Sequence, residues 1–331
     1  MSKYSGRLVS LGVARESTRG VGVEPSIWIP HVDLTVASKV KDVRVGPSLG
    51  KLADSEQRHV LTKFAEGEVG SEVRSHSIGY FLYALLGTLS TTGPADATAY
   101  THAFTLDNSA QHDTLSLVIQ DSDKTVLHEL SALKSLEIDV PIDGVATYTA
   151  SFMSRVAQGT TTKVISLTTD EKKFPKNDAA IKLAANIAGL GAAAGMALKR
   201  FRITFNKELI DDDVIGSVWP EDFLAANFSV EGEFELNLEN TTYRDYYLDN
   251  TARALQVYLG NSASLITGAA ATYPSLTIQL PSVDFFGWEP NRPLDEIVSQ
   301  TISFKANHDI ANDQEIVHSC SLVNGYASYA A

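Results

Sequence analysis

Three short strand-like motifs occur in one order in the first half of the chain and recur in the same order in the second. Glu66-Gly67-Glu68 is followed by Leu136-Glu137-Ile138-Asp139-Val140-Pro141 and then by Thr149-Ala150-Ser151-Phe152. Glu231-Gly232-Glu233 is followed by Leu276-Thr277-Ile278-Gln279-Leu280-Pro281 and then by Thr301-Ile302-Ser303-Phe304. Ordered self-similarity of this kind points to a duplicated structural unit, with insertions making the spacing between copies unequal. Strands rich in valine, leucine and threonine resemble one another anyway, but that explains one match more readily than three in sequence. A chain of 331 residues has room for two such units, each with a core of its own. The expected division is 1–165, with an N-terminal arm, and 166–331. It falls in a polar junction, 158–177, where threonines, charges and Pro175 interrupt the pattern.

Period-two alternation dominates both halves. Phe201, Ile203 and Phe205 alternate with Arg202 and Thr204, and Phe234, Leu236 and Leu238 with Glu235, Asn237 and Glu239. Successive side chains of a strand point to opposite faces, so such runs are half-buried strands. Residues 114–119 and the motif runs behave alike, which makes the chain mainly β. Two helices are expected, each after a Glu-Gly-Glu strand. One is the apolar run Gly79-Tyr80-Phe81-Leu82-Tyr83-Ala84-Leu85-Leu86 stopped by Gly87; the other spans 242–259 and is closed by Gly260. Each unit then reads as a β-sandwich or half-barrel with one flanking helix. Residues 45–61 and 211–219 stand at matching places as long excursions, and long loops in compact domains are usually functional or mobile. The glycine-rich, polar segment 1–24 is expected to order only on assembly.

Composition narrows the function. The chain is 44% hydrophobic and 20% charged, with no apolar run long enough to span a bilayer and no signal-peptide core near the start. Cys320 is the single cysteine, which rules out an internal disulfide and a multi-thiolate zinc site. A formal net charge of −13 opposes any function that grips nucleic acid, because phosphate binding runs on lysine and arginine. It is compatible with a surface past which DNA slides, and equally with ordinary solubility.

Catalytic and cofactor signatures are missing. Gly189-Leu190-Gly191-Ala192-Ala193-Ala194-Gly195 is one residue too long for a dinucleotide fingerprint and leads into a strand rather than a helix. The eight histidines are scattered. Asp211-Asp212-Asp213 lacks the alternating ligands, glycine turn and distal glutamate of a calcium loop. No Gly-x-Ser-x-Gly elbow or Walker loop is present. The chain reads as a non-enzyme without cofactor or metal.

Asn206-Lys207-Glu208-Leu209, Ile215-Gly216-Ser217-Val218-Trp219-Pro220-Glu221-Asp222-Phe223 and Phe228-Ser229-Val230-Glu231-Gly232-Glu233-Phe234 resemble the second half of tail tube proteins of long-tailed bacteriophages. Residues 275–283 and 297–306 are similar to that family's closing strands. Tyr100-Thr101-His102-Ala103-Phe104-Thr105, residues 114–119 and Leu133-Lys134-Ser135-Leu136 are similar to its middle strands. The resemblance implies a structural virion subunit, assembled in the host cytoplasm, that polymerises into stacked rings around a DNA-conducting channel. Its implied partners are further copies of itself, a tape-measure protein, and tail terminator and distal tail proteins, with DNA in transient passage and no membrane. Fused-pair subunits of siphophages form trimeric rings in place of hexameric ones. Two units per chain therefore favour a trimer, with a hexamer as the alternative if the second unit is a decoration.

Sheet physics supplies the rest. Open edges are a liability unless covered, and pairing them around a ring closes a barrel. Glu137 and Asp139 in one copy, and Glu235, Asn237 and Glu239 in the other, are the candidate channel lining; outer solvated positions are the competing assignment. Pro47, Lys51, Asp54, Asp211, Asp212 and Asp213 are the candidate ring-to-ring contacts. A carbohydrate-binding or hydrolytic virion protein stacking sugars on Trp28, Trp219, Trp288, Tyr243 or Tyr247 is the rival from another class, and a capsid or neck component is a second.

Overall fold

The computed structural model describes residues 5–30, 32–46, 50 and 52–329. Its strands in the first half are β1 (Ser10–Arg15), β2 (Ile27–Ile29), β3 (Asp33–Leu34), β4 (Ala37–Val45), β5 (Gln57–Glu72), β6 (Gly87–Asp96), β7 (Ala99–Leu106), β8 (Leu115–Gln120), β9 (Thr125–Val140), β10 (Thr147–Ser154) and β11 (Gln158–Gly159). Those of the second are β12 (Ala179–Ala184), β13 (Leu198–Asp212), β14 (Asp222–Asn237), β15 (Arg253–Gly260), β16 (Ser275–Asn291), β17 (Ser299–Asn307) and β18 (Ser319–Asn324). Helix α1 (Ile78–Leu86) follows β5, and helix α2 (Thr242–Leu248) follows β14. Among the described residues the fold is mainly β, an open antiparallel sheet with two α-helices.

The front layer consists of two four-strand blocks in the same order. The first runs β3 with β4, β5, β10 and β9; the second runs β13, β14, β17 and β16. They join through β9 and β13, where Ile138 lies opposite Ile203. Glu66, Gly67 and Glu68 face Met153, Phe152 and Ser151; Glu231, Gly232 and Glu233 face Lys305, Phe304 and Ser303. Each block even carries a bulge at the same place. A register shift opposite Ser151 and Phe152 leaves Lys134 unpaired on β9, and one opposite Ser303 and Phe304 leaves Phe286 unpaired on β16.

The middle motif pair is not equivalent in space. Leu136 to Val140 belongs to the front block, whereas Leu276 to Leu280 pairs with β15 and β18 behind it. Register assigns Glu289 to the place of Glu137, since each lies opposite a threonine two positions from its serine: Thr149 and Thr301.

The back layer runs β12, β15, β16, β18, β7 and β6, so the final strand pairs with one from the first half through Cys320 opposite Phe104. β16 turns the corner between layers. A side sheet of β2, β1, β8, the start of β9 and β11 flanks the first block. One hydrophobic cluster fills the space between, with Phe201, Ile203, Phe205, Phe234 and Phe304 from the front and Leu255, Val257 and Leu322 from the back.

The helices carry very different burial. Every residue of α1 is buried, Phe81 packing 5.0 Å from Tyr148, and its end is set by Gly87 at φ 92, a conformation that side chains disfavour. α2 buries none of its residues fully and rests on the sheet through Tyr243 and Tyr246. It is also far shorter than the span 242–259 expected for it. Asn250 at φ 49 breaks the helix, and Leu255, Val257 and Leu259 then alternate inward as β15. Five apolar residues in eight satisfied either period, and the asparagine turn decided. The N-terminal segment is likewise not free: Leu11 and Val13 are wholly buried, and β1 pairs with both β2 and β8.

Candidate functional site

One face of the front layer is the core; the other is a continuous polar surface. Alternation places Glu66, Glu68 and Glu72 of β5, Glu137 and Asp139 of β9, Glu231, Glu233 and Glu235 of β14, and Asp284 and Glu289 of β16 on that face. Cross-strand rows link them. Glu137, Thr204, Glu231, Lys305 and Asp284 form one row, and Asp139, Arg202, Glu233 and Ser303 form the next. Four cations on this face are held by its carboxylates: Lys39 by Glu66, Lys305 by Glu231 at 2.6 Å, Arg202 by Glu137 at 3.4 Å, and Arg200 by Asp139 at 3.0 Å. The Asp139 hydrogen bond raises the Arg200 guanidinium above its ordinary value, so the charge is fixed.

Four of the five residues singled out as lining, Glu137, Asp139, Glu235 and Asn237, therefore share this surface. Glu239 does not: it lies past the end of β14, exposed in the turn before α2. Sequence reading missed Glu66, Glu68, Glu231 and Glu233, although these belong to the motif that reveals the repeat. The alternation was visible, but the pairing that puts both blocks on one face was not.

Two long hairpins project from one end of the layer. β4 is exposed along its whole length, as are the first five residues of β5; the second hairpin is formed by the ends of β13 and β14. They lean on each other. Lys41 reaches Asp211 and, at 3.5 Å, Asp213; Thr62 donates to Asp213 at 3.2 Å; Lys63 lies 5.6 Å over the Trp219 ring. A satellite cluster of Leu130, Ala132, Met153 and Phe223, joined by Phe64 and Leu209, packs beneath. Of the candidate ring-to-ring residues, Asp211 and Asp213 are thus engaged within the chain, Asp212 lies opposite Asp222, and Asp54 is exposed. Pro47 and Lys51 lie outside the described residues. Val43, Leu52, Val60, Leu61, Ile210 and Ile215 nevertheless stand exposed on these hairpins, Leu52 and Ile215 fully.

Of the aromatics of the sugar-binding rival, Tyr243 and Tyr247 share α2, with Tyr247 exposed, and the three tryptophans sit on separate elements. Trp28 is buried on β2, Trp288 on β16 donates to Gln300 at 2.9 Å, Trp219 is at a hairpin tip, and Tyr243 packs on Phe234. Cys320 is buried, which pushes its thiol up to about 12 and leaves it unreactive. Among the described residues, no helix is long and apolar enough to cross a membrane.

A family model described as phage tail tube protein matches residues 6–306. No curated protein matches the chain.

Proposed function

This chain belongs to the phage tail tube protein family, and on that premise we propose that three copies close into a ring whose polar faces line a DNA-conducting channel. The observation carrying this reading is the pair of equal four-strand blocks fused into one layer with two free edges. Three chains of eight strand tracks supply the closed sheet that six single units would supply, each unit corresponding to one block. Twenty-four tracks at about 4.8 Å spacing and about 40° tilt make a barrel roughly 50 Å across between backbones, an open lumen rather than a packed core. Closure also removes the unpaired N–H and C=O groups that make free edges hazardous.

The polar face suits passage rather than capture. Carboxylates outnumber cations on it, and Lys39, Arg200, Arg202 and Lys305 are each already paired. Phosphates would meet repulsion with no counterion release to reward binding. Rings stack, in this reading, through the apolar hairpins, whose exposed side chains a neighbouring ring covers. Tape-measure, terminator and distal tail proteins are the partners expected at the lumen and at the tube ends.

Negative-stain microscopy of the purified protein tests the proposal: hollow rods are expected, and a dispersed monomer at high concentration would overturn it. Deleting 47–55 is expected to leave soluble protein without tubes, and normal tubes from that variant would refute the stacking role.

A further inference from the structure

The internal seam between the two blocks is a template for a seam between chains, and this deepens the ring proposal, on which it rests. At the internal seam, β9 of the first block pairs with β13 of the second: Glu137 lies opposite Thr204, Ser135 opposite Asn206 and Asp139 opposite Arg202. The two free edges are the same strands of the other copies. β16 holds the place of β9, and β3 with β4 holds that of β13. Register fixes the equivalences on both sides. Gly287 faces Ser303 as Ser135 faces Ser151, and Glu289 faces Thr301 as Glu137 faces Thr149. The β3 to β4 register runs without a slip from Leu34 to Ala37, which places Val36 opposite Gly67 as Ile203 lies opposite Gly232.

Burial at the equivalent positions marks these edges as unfinished. Phe201, Ile203 and Leu136 are wholly buried at the internal seam, while their counterparts Leu34, Val36 and Trp288 are only partly buried against the same core. The bulge residue Phe286 is 57% exposed beside the free edge, and Val40, the counterpart of Lys207, is 42% exposed on the other.

We infer that β16 of one chain pairs antiparallel with β3 and β4 of the next in the register Glu289 opposite Ala37, Gly287 opposite Lys39 and Asn291 opposite Thr35. Phe286 then meets Val40, and the exposed flanks of Leu34, Val36 and Trp288 are covered. Lys39 comes diagonal to Glu289, within reach of a long side chain across a sheet. The occupant of each edge is thus another copy of this same chain.

Cysteine pairs read the register directly, since directly opposed strand positions fall within disulfide range and positions four residues apart do not. The native Cys320 is buried and does not interfere. In assembled protein, Ala37→Cys with Glu289→Cys is expected to oxidise into chain-to-chain multimers on a non-reducing gel, whereas Lys41→Cys with Glu289→Cys stays single. Tubes that form with the second pair cross-linked, or with neither, would overturn this register while leaving the tube intact. A wild-type chain that never assembles would remove both the tube proposal and the seam.

Discussion

Arg200 grips Asp139 with two parallel contacts across the seam between the blocks, Nε to Oδ1 at 3.0 Å and Nη2 to Oδ2 at 3.2 Å. Bidentate geometry of this kind is the stronger form of an ion pair, but 43% of the arginine side chain is exposed and solvent screens it. We expect a double-mutant cycle of Arg200→Ala and Asp139→Asn, followed by urea denaturation of the unassembled chain, to give a coupling of about 0.5–1 kcal/mol that shrinks with added salt. A coupling near zero at low salt would mean that backbone pairing and the core alone hold the blocks together.

The glycine of each repeated motif is dictated by space rather than by turn chemistry. A Cβ on Gly67 would overlap the backbone of Val36, and one on Gly232 would strike the carbonyl of Arg202 and the Phe304 ring. Backbone cannot rotate away as a side chain can. Gly67→Ala is expected to cost roughly 2–3 kcal/mol, as overpacking does, and Gly232→Ala a similar amount. Gly144→Ala would test φ alone, because nothing lies within 4 Å of its Cβ position although its φ is 129; it should cost less than either. Thermal melts of the three variants decide the order.

Glu16 is a buried carboxylate with four donors on it. Thr114 Oγ1 and Gly20 N donate to Oε2 at 2.6 and 2.8 Å, and Ser116 Oγ and Leu130 N donate to Oε1 at 3.0 and 2.8 Å. It ties the N-terminal segment to β8 and β9 and holds Leu130 at φ 53. Burial raises its pKa, opposed by these four bonds. Glu16→Gln keeps the shape but turns an NH2 group toward two donors, which should cost about 2–4 kcal/mol. Faster limited proteolysis of the first thirty or so residues is the matching readout, and unchanged protection would show that β1 pairing suffices.

Local alternation made most of the front layer legible in the sequence. Phe201, Ile203 and Phe205 point inward and Arg202 and Thr204 outward as their spacing demands. Helix α1 and its Gly87 stop follow from an apolar run and one glycine. Non-local pairing was not legible. Nothing in residues 276–280 tells that they belong behind the layer, because Leu-Thr-Ile-Gln-Leu has the same alternation as Leu-Glu-Ile-Asp-Val. Arg200 and Arg202 were invisible as partners of Asp139 and Glu137, since only the β9 to β13 register brings them together. β1 was hidden by the glycines and charges around Leu11 and Val13, which outweighed a short buried strand in a compositional reading.

Lys207 supplies the sharpest pH dependence. Its ammonium is buried beneath the end of α1, where Nζ donates to Ala84 O at 2.6 Å and lies 3.3 Å from His112 Nδ1. Desolvation, with the Arg19 charge adding to it and Asp113 opposing, brings its pKa down to about 7. The unfolded chain keeps an ordinary lysine near 10.4. Between those values the unfolded state binds a proton that the folded state does not, so stability rises with pH across that window and is flat in this group below about 7, where both states are protonated. The slope should approach about 1.4 kcal/mol per pH unit. His112 continues the trend on the acid side, because burial lowers its pKa too and folding holds it neutral. Lys207→Met removes the first of these titrations and fills the same volume. We expect urea midpoints measured from pH 7 to 10 to climb for the wild-type chain and to stay nearly level for the variant. A wild-type curve as flat as that of the variant would mean that the Ala84 carbonyl and the negative end of α1 hold the ammonium charged throughout.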